Sequence, residues 1–314
     1  MVQESNAVAS QNERVLAENE MVCSLTNRVV KATVKEMTLQ SMIAMMTEEY
    51  GFALEDMERD FKVKYEDANE DKSKTQKVDL AIFNAGHAHD ADELIRFIIV
   101  AKDAKVKPND KKAGVEATTE GILCSTDCDF ACWTNGEDLQ YVYSYEDDFG
   151  QVTCEAISDF PAEGQTLEDL EAQGERAMPR KPANESLVKT FKRCHDYIYG
   201  NEGMKKTAFW ELLNLIFCKI YDEKRRFTDA KQGISYQRRF WVGVKEQNTT
   251  EGQAAVAERI KSLFEDLKES HVFKDVFDGN EQIMLSDRGL AFVAAELAKY
   301  SFLDATVDVN IYNT

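Results

Sequence analysis

Residues 96–101 read RFIIVA, an arginine followed by five apolar residues in succession. A run this short and this apolar predicts a central strand buried on both faces of a sheet. Just upstream, VDLAIFN (78–84) predicts a second strand. Before it, FKVKY (61–65) alternates apolar and polar residues, as a half-buried strand does. The polar stretch between them, EDANEDKSKTQ, reads as a turn. Further upstream, Leu39, Met42, Ile43 and Met46 are spaced along one helix face within residues 24–50, and Gly51 closes the run. Downstream, a helical stretch follows Pro108, and then DFACW (129–133) and YVYSY (141–145) flank the turn TNGEDLQ. The expected order is helix, three strands, helix, strand and hairpin, which is an α/β module with a mixed sheet.

The second half of the chain keeps a different period. Leu187, Phe191, Cys194 and Ile198 share a helix face, as do Phe209, Leu212, Leu213, Ile216, Phe217 and Ile220. Val256, Ile260, Leu263, Phe264 and Leu267 form a third stripe, and Leu290, Val293 and Leu297 a fourth. Stripes this wide need one another, so a helical bundle is expected, with FWVGV (240–244) as a short strand or an extended connection. Between the halves lies an acidic run followed by Pro179 and Pro182, the composition of a linker. The expected divisions are a flexible terminus over 1–22, an α/β domain over 23–162, a linker over 163–185 and a helical domain over 186–314.

The chain has 57 acidic and 38 basic residues, a net charge of −19. That balance opposes bulk attraction to DNA or to anionic membrane and leaves room only for a local basic patch. Between Arg180 and Arg226 eleven basic residues stand against six acidic ones, a local excess of five. Lys189, Lys192, Arg193, Lys205 and Lys206 are the candidate phosphate contacts there, balanced against the plainer reading of a solvated helix surface. No apolar run approaches the roughly 18 residues that a membrane span needs, and the polar N-terminus does not read as a signal peptide. Seven scattered cysteines suit reduced thiols, so a cytoplasmic location is expected. The spacing of Cys124, Cys128 and Cys132 is not that of zinc ligands, and His87 and His89 read as loop residues.

One nuclease architecture, the PD-(D/E)xK core, uses this order of elements. An Asp on its second strand and a Glu on its third hold magnesium through hard oxygen ligands, and a Lys two residues beyond the Glu shares its face. The metal stabilises the charge that builds on the phosphate. Here Asp79 takes the Asp place and Lys102 the Lys place, but Val100 stands where the Glu is needed.

The stretches ERDFKVKY, KVDLAIFNAG, RFIIVAKDAKVKPNDKKAGVE and ACWTNGEDLQY resemble the N-terminal nuclease-type domain of type I restriction enzymes. From Leu187 on, VKTFKRCHDYIYGNEGMKKTAFWELLNLIFCKIYDEKR resembles the helical N-terminal domain of the type I adenine-N6 DNA methyltransferase subunit. The resemblance implies a DNA restriction–modification component whose partners are DNA, a specificity subunit and a catalytic methyltransferase half. It also implies a vestigial nuclease site of Asp79, Lys102 and Glu36, with Asp79 as a weak magnesium ligand. The family's Gln and Tyr on the following helix fall at Ala117 and Gly121. S-adenosylmethionine would be held only by a catalytic domain, whose Pro-Pro motif this sequence lacks, so the chain is expected to be truncated before it and to carry no cofactor. Two other readings remain open. One is an active magnesium-dependent endonuclease that recruits Glu36 or Glu116; the other is an acidic regulator that mimics DNA.

Overall fold

The computed structural model describes residues 16–67, 72–171, 180–182, 185–234, 236–273 and 276–303. It opens with a small hairpin of β1 (Glu20–Val22) and β2 (Val29–Lys31), turned at Asn27 with a positive φ of 54°. Helix α1 (Val34–Glu48) follows, capped by the Thr33 hydroxyl, which accepts the Glu36 N–H at 3.1 Å. The helix expected from residue 24 therefore starts ten residues later, because the β-branched pair Val29-Val30 favours extended backbone.

A six-stranded sheet forms the centre of the first part. Its members are β3 (Met57–Arg59), β6 (Leu80–Phe83), β7 (Leu94–Val100), β8 (Phe130–Thr134), β9 (Leu139–Glu146) and β10 (Val152–Ile157). Between β3 and β6, β4 (Lys62–Asp67) and β5 (Lys72–Lys77) form a separate antiparallel ribbon. The sheet order is β10-β9-β8-β7-β6-β3, antiparallel throughout except between β7 and β8. That parallel pair is joined by the crossover helix α2 (Val115–Leu123).

As RFIIVA implied, β7 is covered on both faces. Ile98 and Val100 join Leu80, Ile82 and Cys132 beneath α1 residues Leu39, Met42, Ile43 and Met46. Phe97 and Ile99 join Ala81, Phe83, Ala131 and Trp133 beneath α2 residues Ile122 and Leu123. The two cores follow the pleat.

Two expectations are corrected here. FKVKY is not a member of the main sheet; the place beside β6 belongs to the three residues of β3. The supposed turn residues KSKTQ, with Lys77, form β5, pairing Val63 with Gln76 and Tyr65 with Lys74. A ribbon strand that faces solvent needs its backbone ladder and little apolar material, so hydropathy could not reveal it.

The second part is helical: after the short α3 (Leu167–Glu171) come α4 (Ser186–Gly200), α5 (Ala208–Lys231), α6 (Thr250–Glu269) and α7 (Asp287–Ala298). The stripes read from sequence meet in one core around Leu187, Cys194, Leu212, Ile260, Phe264, Leu290 and Leu297. Phe209 and Leu213 of the α5 stripe lie outside it, and Phe209 is exposed, because the first turn of α5 projects past the bundle. Buried polar residues of α5 anchor the irregular segments. Asp222 accepts the Tyr236 hydroxyl at 2.8 Å and the Arg239 and Phe240 N–H groups at 3.1 Å. Glu223 pairs with the fully buried Lys219 at 2.8 Å and accepts the Phe302 and Leu303 N–H groups. Residues 240–244 are an extended connection that ends on Val244, whose carbonyl accepts the Ser158 N–H at 3.0 Å and whose side chain packs under α1 with the sheet core.

The two parts meet through buried polar contacts. Arg180 lies 4.2 Å over the Tyr50 ring and pairs with Asp159 at 2.6 Å, and Tyr50 donates to the same Asp159 carboxylate. Tyr300 donates to Glu49 at 2.9 Å, and the Arg180 N–H and carbonyl bond the Lys299 carbonyl and Ser301 N–H. Glu296 on α7 receives Arg193 at 2.6 Å and also Lys299. Burial would raise the Glu296 carboxyl, yet Lys299 and Arg193 hold it down to about 2. Among the described residues no helix is long and apolar enough to cross a membrane.

Candidate functional site

Asp79 lies in a bend just before β6, not within a strand. Continued pleating would aim it away from α1, since Leu80 and Ile82 already occupy the α1 face. The bend instead brings its carboxylate to the end of β7 and to α1 together. Oδ2 accepts the Val100 N–H at 2.8 Å, and Oδ1 receives the Lys35 ammonium at 2.7 Å. Asp79 thus reaches the strand end where the Glu of a nuclease core would stand. The Val100 side chain is 2% exposed and packed under α1. Lys102, two residues further, is exposed, and its charge helps hold down the Asp110 carboxyl, which chiefly accepts the Lys112 and Ala113 N–H groups. The cation on Asp79 is Lys35, which the strand pattern did not single out.

Glu36 is the next residue of α1 and is equally engaged. Arg59 grips it with two nitrogens, at 3.0 and 2.9 Å, and Gln40 donates a third bond at 2.9 Å. Arg59 continues to Asp60 at 3.0 Å, and Asp60 continues to Lys77 at 2.7 Å. Asp60 has a positive φ of 58°, a conformation Asp tolerates better than most residues, and it sits between the two cations. Against the burial that would raise it, hydrogen bonds from Lys77 and Arg59 keep its carboxyl below the ordinary value. Three carboxylates, Glu36, Asp60 and Asp79, are therefore matched by three cations, Arg59, Lys77 and Lys35. Among the described residues no group of three or more His, Cys, Asp or Glu is placed to hold a metal ion. Magnesium displaces its water only for several hard, negative oxygens. Here the oxygens already serve lysine and arginine.

On α2, Ala117 is exposed and Gly121 meets the ribbon. A Cβ at Gly121 would come within 3.0 Å of the Tyr65 hydroxyl. The Tyr65 ring from β4 thus lies where a large side chain on α2 would project. Gln76 of β5 donates to the Thr118 carbonyl at 2.6 Å and ties the ribbon down. Glu116 is exposed on the first turn of α2. His89 stacks on Phe83 at 4.3 Å and touches Glu58, and His87 pairs with Glu93, both as loop contacts.

The candidate phosphate contacts divide into two groups. Lys189 bonds Ser41 at 3.1 Å, Lys192 pairs with Glu137 at 3.4 Å, and Arg193 with Glu296, so all three face the sheet part or the interior. Lys189 and Arg193 also line a groove of about 360 Å³ between α1, the 134–139 turn and α4. Lys205 and Lys206, on the turn between α4 and α5, are exposed. That turn is built by Glu202, which accepts the Ser286 N–H at 2.9 Å and its hydroxyl at 2.8 Å at the start of α7. Gly289 has no Cβ because one would fall 2.4 Å from that carboxylate. The CHDYIYGNEG block is thus a packing device: Cys194 and Ile198 are buried, and Tyr197 stacks on Phe292 at 4.1 Å.

Residues 35–161 match the protein family described as Type I restriction enzyme R protein N terminus (HSDR_N). The match runs from the first turn of α1 to just past β10, and so spans the sheet, both its covering helices and Asp79. It covers 127 of the 314 residues and relates the sheet part to restriction–modification enzymes of type I. No curated protein matches the chain.

Proposed function

We propose that the chain is a DNA-binding and subunit-assembly component of a type I restriction–modification system, and that its nuclease-type part does not cut. The observation that carries the second statement is the state of Asp79. Its two oxygens are taken by Lys35 and by the Val100 N–H, and its would-be partner carboxylate is an aliphatic side chain in the core. The active-endonuclease reading requires Glu36 or Glu116 to join Asp79, but Glu36 is held by Arg59 and Gln40. For the helical part, the resemblance to the methyltransferase subunit and the exposed Lys205 and Lys206 support phosphate contact. They favour it over DNA mimicry, which would need acidic residues on that face.

The test has two arms. Incubation with plasmid DNA and magnesium should give no nicking, and calorimetry should detect no magnesium binding at low millimolar concentration. Binding to duplex DNA should be weak and should fall steeply with salt, because counterion release drives it. Lys205→Glu with Lys206→Glu should abolish that binding. Magnesium-dependent cutting by the native chain overturns the first arm, and unchanged DNA affinity in the double variant overturns the second.

A further inference from the structure

The turn that carries Lys205 and Lys206 also carries three exposed aromatic rings. Phe209 and Trp210, in the first turn of α5, are 59% and 62% exposed and meet edge to face at 5.5 Å. Tyr199, near the end of α4, is 44% exposed, with the Lys205 ammonium 6.0 Å above its ring and His195 stacked beside it at 6.2 Å. The other two tryptophans are covered: Trp133 is fully buried, and Trp241 lies under Arg259 at 3.7 Å. Two adjacent large rings left in water forgo burial that the rest of the fold exploits.

Lysines border these rings, although the chain carries a net charge of −19. Lys205 and Lys206 are exposed, and the carboxylates nearest them in the chain are Asp196, Glu202 and Glu211. Glu202 bonds Ser286, and Asp196 lies 3.4 Å from His195. Glu211 is buried and accepts the Met284 N–H, with its carboxyl raised by that burial. Open rings bordered by lysines fit a polyanion whose bases are free to stack. Duplex DNA hides its base faces inside the helix, so these rings would gain nothing from it. A protein partner would seat an apolar face against a neutral rim more readily than against lysines.

The geometry points to a binding site for unpaired DNA, in which bases stack on Trp210, Phe209 and Tyr199 while Lys205 and Lys206 meet the phosphates. This rests on the DNA-binding reading above and narrows its ligand to single-stranded segments, for which aromatic platforms bordered by basic residues are the general solution.

The test uses the full chain with a short oligothymidylate and with a duplex of the same length, read by fluorescence anisotropy and by quenching of the indole signal. Trp210→Ala should weaken oligothymidylate binding roughly 5- to 150-fold, the range of a lost base stack. It should leave duplex affinity and melting temperature unchanged, since the side chain is mostly in water. Trp210→Phe should keep most of the affinity, and Lys205→Glu with Lys206→Glu should weaken both ligands. Native chain that binds duplex but not oligothymidylate overturns the stacking site while the DNA-binding reading stands. Native chain that binds neither overturns both. Oligothymidylate affinity unchanged in Trp210→Ala, with loss of self-association in sedimentation, assigns the rings to a protein contact and overturns the proposal.

Discussion

Around Asp79, acidic and basic groups are paired one for one; at the turn between α4 and α5, Lys205 and Lys206 stand beside bare aromatic rings. Both regions draw on the same residue types, and both lie near helix ends. They differ in what the fold spends its charges on. In the first, every carboxylate that would attract a metal holds a protein cation, so the cluster stabilises the join of α1, β3 and β6. In the second, Glu202 caps α7 and Glu211 turns to the interior, while both lysines stay in solvent. A charge cluster is open to ligands only when its own neighbours have left it unsatisfied.

The strongest challenge to this contrast is Val100→Glu. It puts a carboxylate into a position that is 2% exposed, beside Asp79. Without metal the cost should be several kcal/mol, because a buried charge lacks a partner. Calorimetric melting should show a large fall in Tm, part of which magnesium restores by binding the folded state. A variant as stable in EDTA as the native chain would mean that the cluster already has room for another carboxylate.

Next in size is Glu296, the buried counterpart of the same pairing. Its carboxyl is lowered from an ordinary 4.5 to about 2. A lowered carboxyl gives stability that is complete above its unfolded value and lost as pH falls through its folded one. That loss should therefore develop between pH 4.5 and 2 and amount to about 3 kcal/mol. Denaturant titration across that window measures it, and Glu296→Gln should flatten the slope. A smaller effect, on the order of 1–2 kcal/mol, is expected for Arg59→Met, which takes one cation from Glu36 and Asp60 in a partly buried setting. The smallest belongs to Lys205→Glu with Lys206→Glu, whose Tm should move little because neither lysine is in an ion pair among the described residues. A fall comparable to that of Arg59→Met would place these lysines with the structural charges.

The sequence made the layered core legible because burial on both faces leaves a direct trace: RFIIVA could be little other than a central strand. The four stripes of the helical part were nearly as plain, since amphipathic period and length agree, but the period carried Phe209 into the core although it lies in water. KSKTQK was illegible for the complementary reason, that a solvent-facing ribbon strand is held by backbone pairing, which side chains do not record. In the site, Val100 in place of a carboxylate was readable from spacing along one strand. Lys35 was not, because its contact with Asp79 depends on a bend that breaks strand alternation. The role of Arg59 was hidden in the same way, as a contact between a helix and a three-residue strand.

Arg180 has a wider consequence. It bonds the chain beside Tyr300 through its backbone and Asp159 through its guanidinium, while Tyr300 in turn reaches Glu49. Two hydrophobic cores in one chain often melt one after the other. Here, opening the helical core alone would break the Arg180–Asp159 and Tyr300–Glu49 contacts together and bare the surface packed around them to water, so each part loses support when the other opens. The whole chain should therefore behave as a single cooperative unit. Slowly exchanging amides in α1 and α7 should share one opening free energy, and denaturation followed by tryptophan fluorescence and by helical circular dichroism should trace one coincident curve.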